Sequence, residues 1–232
     1  MSDSIRIGYS FTFDSSDPIE IDLHLDPETL ESKAWPTVSA PAWADLSFEQ
    51  CANCPLAAPE NQYCPLALRM LQLIHTFGRH LAQEEVDLRV ETLERTYSAR
   101  TTLQEGLRSL VGVLMPLSGC PHLAAFRPMA RFHLPIGSTA ETIYRSASMY
   151  MLAQYFVAQQ GGEPDLEMAG LSEMYRNIHQ VNIGISKRLA RAGARDAAVE
   201  SLTRLDLFTS EVPESIEQHL QDFSHYFRWY YQ

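Results

Sequence analysis

The sequence predicts an α+β fold, in which an N-terminal antiparallel β-hairpin, extended by a third strand, packs against a mainly α-helical body. Two observations carry this prediction. Apolar and polar residues alternate in two runs near the N-terminus, and apolar residues recur at helical spacing in most segments after residue 65. A chain of 232 residues is long enough to bury one sizeable core, so we expect a single domain over residues 1–232.

Residues 5–13 and 19–25 are the two predicted hairpin strands. Each run alternates apolar with small, polar or charged residues, which is the pattern of a half-buried strand. The turn residues of the Asp14–Pro18 segment separate them. A two-stranded hairpin is marginally stable by itself, so we expect a third alternating run near 86–97 to join it.

The rest of the chain divides by composition. Asp26 followed by proline predicts an N-cap and a short helix that completes a region over residues 1–34. Residues 35–65 hold five prolines, two tryptophans and three cysteines, which predicts an irregular segment pinned to the body by Trp35, Trp43 and the cysteines. Residues 66–232 form the helical body, with capping boxes that begin at Thr101 and Ser138. The predicted helices cover residues 66–82, 103–114, 139–160, 165–192, 196–208 and 213–228.

Charge and hydropathy exclude several classes of function. The chain carries 18 Lys and Arg against 29 Asp and Glu, a net charge of −11, so nucleic acid and anionic membrane surfaces are poor partners. No stretch is apolar enough for a transmembrane helix, and the N-terminus lacks the basic and apolar regions of a signal peptide. We therefore expect an acidic, cytoplasmic protein.

The four cysteines, Cys51, Cys54, Cys64 and Cys120, are the strongest chemical signal in the sequence. In a reducing compartment a patterned group of cysteines suggests metal or redox chemistry more than disulfides. Cys64 and Cys120 each precede a proline and an apolar helical segment, so both are predicted N-caps, where the helix dipole favours the thiolate. We expect the four cysteines to share one metal site.

The metal itself is open on sequence grounds. Zinc suits four thiolates in a tetrahedral structural site, although this chain has one C-x2-C pair where zinc sites commonly have two. A [4Fe-4S] cluster also takes four cysteines, and cysteine followed by proline is common at such ligands. His122 is a substitute ligand for a site of three cysteines and one histidine. A redox-active C-x2-C pair and buried cysteines without metal are the remaining interpretations.

These observations give two leading functional hypotheses. The first is a cytoplasmic metal-binding protein with structural zinc, in a protein-interaction or regulatory module that acts through a protein partner. The alternative is an iron–sulfur protein with an electron-transfer, redox-sensing or enzymatic role.

A third hypothesis rests on a basic island over residues 122–145, where Glu141 is the one acid. Arg127, Arg131 and His133 are candidate anion-binding residues, because guanidinium groups bind carboxylates and phosphates well. Glu141 is expected to complete the Ser138 capping box, and His133 to be a hydrogen-bonded core residue. The structural alternative for the arginines is internal pairing with the acids Glu20, Asp22, Glu84 and Glu85.

The C-terminal residues 223–231 are rich in aromatic side chains. Such a segment either docks on the core or contacts a partner. We expect it to dock on the core.

Overall fold

The computed structural model describes residues 4–32, 40–192 and 220–231, and over these residues it shows a four-stranded antiparallel sheet with helices, which confirms the α+β prediction. The order across the sheet is β2-β1-β3-β4. The strands are β1 (Ile5–Phe13), β2 (Ile19–Leu25), β3 (Glu85–Glu91) and β4 (Thr96–Thr102).

The two predicted hairpin strands form with the predicted bounds. Strand β1 lies inside the sheet, where Tyr9 is paired with Ile21 of β2 on one side and with Val90 of β3 on the other. Alternate residues of β1 and β3 are buried on one face, while the other face carries exposed ion pairs such as Arg100 with Asp14. This division is what the alternating pattern of a sheet with one solvated face requires.

The predicted single strand near 86–97 is wrong in its extent. The chain turns at residues 92–95 and returns as β4, which pairs with β3 along its whole length. Strand β4 was not predicted because only two of its residues, Tyr97 and Ala99, are apolar. The others are threonines, a serine and an arginine. This alternation of apolar and polar residues is too weak to indicate a strand from the sequence alone.

Five α-helices and three 3₁₀ helices lie wholly within the described residues, and residues 220–223 are also α-helical. Thr102 caps the second α-helix by accepting a hydrogen bond from the Glu105 N–H, one residue later than the predicted box. Ser138 and Glu141 form the predicted reciprocal capping box. The α-helices are α1 (Pro65–Phe77), α2 (Leu103–Leu114), α3 (Arg127–Arg131), α4 (Thr139–Gln159) and α5 (Ala169–Ala192), and the 3₁₀ helices are Ala42–Ala44, Pro121–Phe126 and Ser224–Tyr230.

The short helix predicted after Asp26 does not form. The Asp26 carboxylate accepts from the N–H groups of Glu28 and Thr29, as an N-cap would. Leu30 then adopts a positive φ of 56°, which ends the turn, and Ser32 forms a β-bridge with Leu25.

Three further sequence predictions fall wholly or partly outside the described residues. The helix over 196–208 lies there, as do residues 213–219 of the helix over 213–228, of which residues 220–228 are described. Trp35, predicted to pin the proline-rich segment, also lies outside.

The core lies between the buried face of the sheet and the first two helices. The Phe11 ring of β1 meets the Phe77 ring of α1 edge-on, with 5.0 Å between centroids. Helix α2 approaches β1 so closely that a Cβ on Gly106 would lie 2.7 Å from a ring carbon of Phe11. Glycine at this position therefore allows the helix to sit on the strand.

Arg188 of α5 pins the described part of the proline-rich segment. Its side chain is buried, and it donates hydrogen bonds to the backbone carbonyls of Trp43, Asp45 and Leu46 at 2.6–2.8 Å. Over the described residues 40–64 the chain is irregular apart from the 3₁₀ helix Ala42–Ala44, and this arginine is a polar anchor that was not predicted.

The C-terminal aromatic residues are largely exposed, so the docking prediction is wrong for residues 220–231. Trp229 is 81% exposed and Tyr230 is 85% exposed. The Phe223 ring does contact Tyr144 of α4, at a centroid distance of 6.2 Å. Nowhere in the described ranges is a helix both long and apolar enough to span a bilayer.

Candidate functional site

Cys64 and Cys120 occupy the N-cap positions predicted from the sequence. Cys64 precedes α1, and Cys120 precedes the 3₁₀ helix Pro121–Phe126. Cys51 and Cys54 lie in one turn, in which the Cys54 N–H donates to the Cys51 carbonyl at 3.0 Å. All four are free thiols of intermediate burial.

Burial reverses the effect that the helix dipole was expected to have on these thiols. It raises the pKa of Cys120 to about 12, and the neighbouring cysteines add to the shift. Burial likewise raises the pKa of Cys51 to about 11, with Cys64 and Cys54 contributing. Without a bound ion, both thiols are therefore protonated at neutral pH.

The predicted zinc or iron–sulfur function of Cys51, Cys54, Cys64 and Cys120 is wrong. Across the ranges that the structure describes, no three or more Cys, His, Asp or Glu side chains form a group that could hold a metal ion. His122, the predicted substitute ligand, instead lies with its Nε2 2.6 Å from the Asn53 carbonyl, to which it donates. The N-cap positions were therefore predicted correctly, but the ligand set was not.

Part of the basic island borders a cleft of about 300 Å³ beside the β3–β4 turn. A neighbouring cavity of about 160 Å³ opens beside α2 and shares His133, Leu134 and Arg145 with the cleft. The cleft is lined by Thr92, Glu94, Arg95, Tyr97, Arg131, Phe132, His133, Leu134 and Arg145. Of the three candidate anion-binding residues, Arg131 and His133 line it and Arg127 does not.

His133 belongs to a buried hydrogen-bond network at the wall of the cleft. Its Nε2 lies 2.5 Å from the Tyr9 hydroxyl and 3.3 Å from the Ser109 Oγ. The two hydroxyls are 3.0 Å apart, and Ser109 Oγ also accepts from the Ile136 N–H at 3.4 Å. Burial lowers the pKa of His133 to about 3, and Arg145 contributes, so the imidazole is neutral at neutral pH.

One assignment of hydrogens gives each hydroxyl in this network an acceptor. Tyr9 donates to Nε2 of His133, and Ser109 donates to the Tyr9 oxygen. A neutral imidazole whose Nε2 accepts carries its hydrogen on Nδ1. Within the described residues this Nδ1–H makes no hydrogen bond to the protein, so it remains a donor on a residue that lines both cavities.

Arg145 supplies positive charge and makes no ion pair with a described residue. Burial lowers its pKa, and Glu141 lies near enough to oppose that shift slightly. Its Nη2 donates to the carbonyls of Met129 and Phe132 at 2.8 and 2.7 Å, at the end of α3. Two of its five N–H donors are used there, which leaves three, on Nε and Nη1. Glu141, one helical turn away, has its carboxylate occupied in the Ser138 capping box.

The other arginines of the site differ in their pairing. Arg131 forms a two-pronged ion pair with Glu94, with Nη2 2.7 Å from Oε1 and Nη1 3.5 Å from Oε2. Arg95 is exposed and makes no ion pair with any described residue. Arg127 pairs with Glu31 at 3.2 Å, away from the cleft.

Arg127 and Arg131 thus form the internal ion pairs that the structural alternative predicted. Their partners, Glu31 and Glu94, are not among the acids that were predicted. Arg95 was not predicted as a site residue because the β3–β4 turn, on which it lies, was not predicted. Residues 92–95 contain no glycine, proline, asparagine, aspartate or serine, so no turn signal in the sequence marked this position.

One family model matches this chain, and it covers residues 7–228. Its description is "Domain of unknown function (DUF6901)". No curated protein and no solved structure matches the chain. Since the match extends over nearly the whole sequence, the chain belongs to the DUF6901 family.

Proposed function

We propose that the protein binds a small anionic ligand, a carboxylate or a phosphate, in the cleft beside the β3–β4 turn. The observation that carries the proposal is the pair of cations, Arg95 and Arg145, that border the cleft without an ion pair to any described residue. In a chain of net charge −11, two arginines that border a cavity and make no ion pair are unusual, and they give the cavity a local positive charge.

The donors available in the cleft suit an anion. Arg145 retains donors on Nε and Nη1, and His133 retains its Nδ1–H. Hydrogen bonds from a guanidinium to a carboxylate or phosphate are about twice as strong as neutral ones. A cleft of about 300 Å³ is at the lower end of the range of small-molecule sites.

Arg145 also has a structural role, because its two bonds cap the last carbonyls of α3. Substitution of Arg145 would therefore disturb the fold together with any binding. Arg95 has no side-chain hydrogen bond or ion pair among the described residues, so its substitution reports on ligand binding with little effect on folding.

Isothermal titration calorimetry with 3-phenylpropionate and with inorganic phosphate tests the proposal. We expect at least one of these anions to bind the wild-type protein, and Arg95→Gln to weaken that binding about threefold to tenfold, the loss of one charge-assisted hydrogen bond at an exposed site. Arg79→Gln is the matched control, since Arg79 is equally exposed and lies at the end of α1, outside the cleft.

Two results would overturn the proposal. One is the absence of binding of either anion to the wild-type protein. The other is an equal loss of affinity in the Arg79 and Arg95 variants, which would indicate a general effect of net charge.

A protein partner is a second candidate, favoured by the exposed apolar side chains near the end of α4. Leu152, Tyr155 and Phe156 are each 55–57% exposed. Exposed apolar groups that lie together are typical of contact surfaces between proteins. Sedimentation velocity of wild-type protein and of Phe156→Glu tests contact between copies: a concentration-dependent rise in mass that the substitution removes is expected, and a monomer at all concentrations would exclude such contact.

A further inference from the structure

Among the described residues that line the cleft, Glu94 is the one acid. Its carboxylate engages both terminal nitrogens of Arg131, and Arg131 holds the pKa of Glu94 below its usual range. Glu94 is therefore ionised at neutral pH, and it occupies the face of Arg131 that would otherwise receive a ligand. The protein itself neutralises one of the three arginines of the cleft.

The remaining charge in the cleft is small. Arg95 and Arg145 make no ion pair with a described residue and carry the remaining positive charge, and His133 is neutral. The Glu94 carboxylate repels each negative charge of a ligand, so it opposes a dianion more than a monoanion. A like charge in a partly enclosed site lowers the affinity of the more highly charged ligand.

The other lining residues are apolar or aromatic. Phe132 is 70% exposed, and the Arg131 guanidinium lies 5.0 Å from the centre of its ring. Tyr97 and Leu134 complete this side of the cleft, and Met129 lines the adjoining cavity. Exposed rings and aliphatic groups next to a few polar donors are typical of a site for a ligand with an apolar body.

We propose that the ligand is a monocarboxylate with an aromatic or apolar body, and that Glu94 is the residue that selects one negative charge over two. This inference rests on the proposed anion binding. The carboxylate is bound by Arg145, Arg95 and the His133 Nδ1–H, and the body lies against Phe132 and Tyr97.

The test compares three ligands by isothermal titration calorimetry at pH 8, where inorganic phosphate is mainly a dianion. With wild-type protein, 3-phenylpropionate binds at least tenfold more tightly than acetate and more tightly than phosphate. Glu94→Gln frees Arg131 and removes the opposing charge, so the affinity for phosphate rises at least fivefold. The affinity for 3-phenylpropionate changes less, and the ratio of the two dissociation constants shifts towards phosphate.

Glu31→Gln is the matched control, because Glu31 pairs with Arg127 at 3.2 Å outside the cleft. This variant has the same net charge as Glu94→Gln and leaves the affinity for phosphate unchanged. Tighter binding of phosphate than of 3-phenylpropionate to the wild-type protein, or the same gain for phosphate in both variants, would overturn the inference while leaving anion binding intact. Absence of binding of all three anions would overturn the proposed function itself.

Discussion

The Tyr9 hydroxyl lies 2.5 Å from Nε2 of His133 and joins an inner strand of the sheet to the segment that lines the cleft. The two residues are 124 positions apart in the sequence. If Tyr9 donates this bond, the neutral imidazole of His133 carries its hydrogen on Nδ1.

Tyr9→Phe is expected to lower the free energy of unfolding by about 1–3 kcal/mol, because Nε2 of His133 and the Ser109 hydroxyl lose their partner in a buried site. Chemical denaturation measures this. Tyr63→Phe is the control: its hydroxyl contacts the neighbouring Gln62 at the surface, so a change below about 0.5 kcal/mol is expected. Equal effects in the two variants would show that the network contributes nothing specific.

The stability of the protein should fall as the pH is lowered, partly because of His133. Its pKa is about 3 in the folded protein, against about 6.5 in an unfolded chain, so below pH 6.5 the unfolded state binds a proton that the folded state does not. The stability that His133 contributes is complete above pH 6.5 and is lost progressively as the pH falls towards 3.

Between pH 7 and pH 5 this loss amounts to about 2 kcal/mol, following the proton linkage relation. It is measured by denaturant titrations at a series of pH values. The matched variant His133→Gln lacks the titrating group, so its stability should vary less with pH over this interval. The same dependence on pH in both proteins would contradict the predicted pKa shift.

Arg188→Met should destabilise the protein by about 3 kcal/mol, because three buried backbone carbonyls lose a charged donor while the apolar volume is roughly kept. Thermal or chemical unfolding measures the effect. Arg191→Met, one turn later on α5, removes an exposed arginine paired with Glu49 and should cost less than about 1 kcal/mol. A small effect at Arg188 would mean that water replaces the guanidinium at little cost.

Cys51 and Cys120 should react slowly with iodoacetamide in the folded protein. Burial raises their pKa to about 11 and about 12, so at pH 8 only a very small fraction is the reactive thiolate. Peptide-resolved mass spectrometry should show alkylation at least tenfold slower than in guanidinium chloride, where both thiols are exposed. Equal rates in the folded and unfolded protein would refute the raised pKa values.

Much of the fold could be predicted from local patterns. The alternation over residues 5–13 and 19–25 specified two strands, and the capping box at Ser138 specified the start of α4. Strand β4 could not be predicted in this way, because its small and polar residues become a strand through pairing with β3. The residues after Asp26 likewise have the local signal of a helix N-terminus. They form a turn instead of a helix, and Ser32 then makes a β-bridge with Leu25.

The site was predicted less well, and the cysteines show the reason. Proline after Cys64 and Cys120 correctly indicated N-caps, which are local features. Whether four thiols converge on one ion depends on distances between remote segments, and their ionisation depends on burial. Neither quantity is encoded in spacing along the chain.

By itself, the sequence determined the hairpin, the helix starts, the net charge of −11 and a basic island over residues 122–145. The tertiary structure alone decided that Arg131 is neutralised by Glu94, that Arg127 lies elsewhere, and that Arg95 and Arg145 border one cleft. The physical reason is that secondary structure follows from neighbours in the chain. Ion pairing, pKa and ligand access follow instead from burial and from distances between residues that only the folded chain brings together.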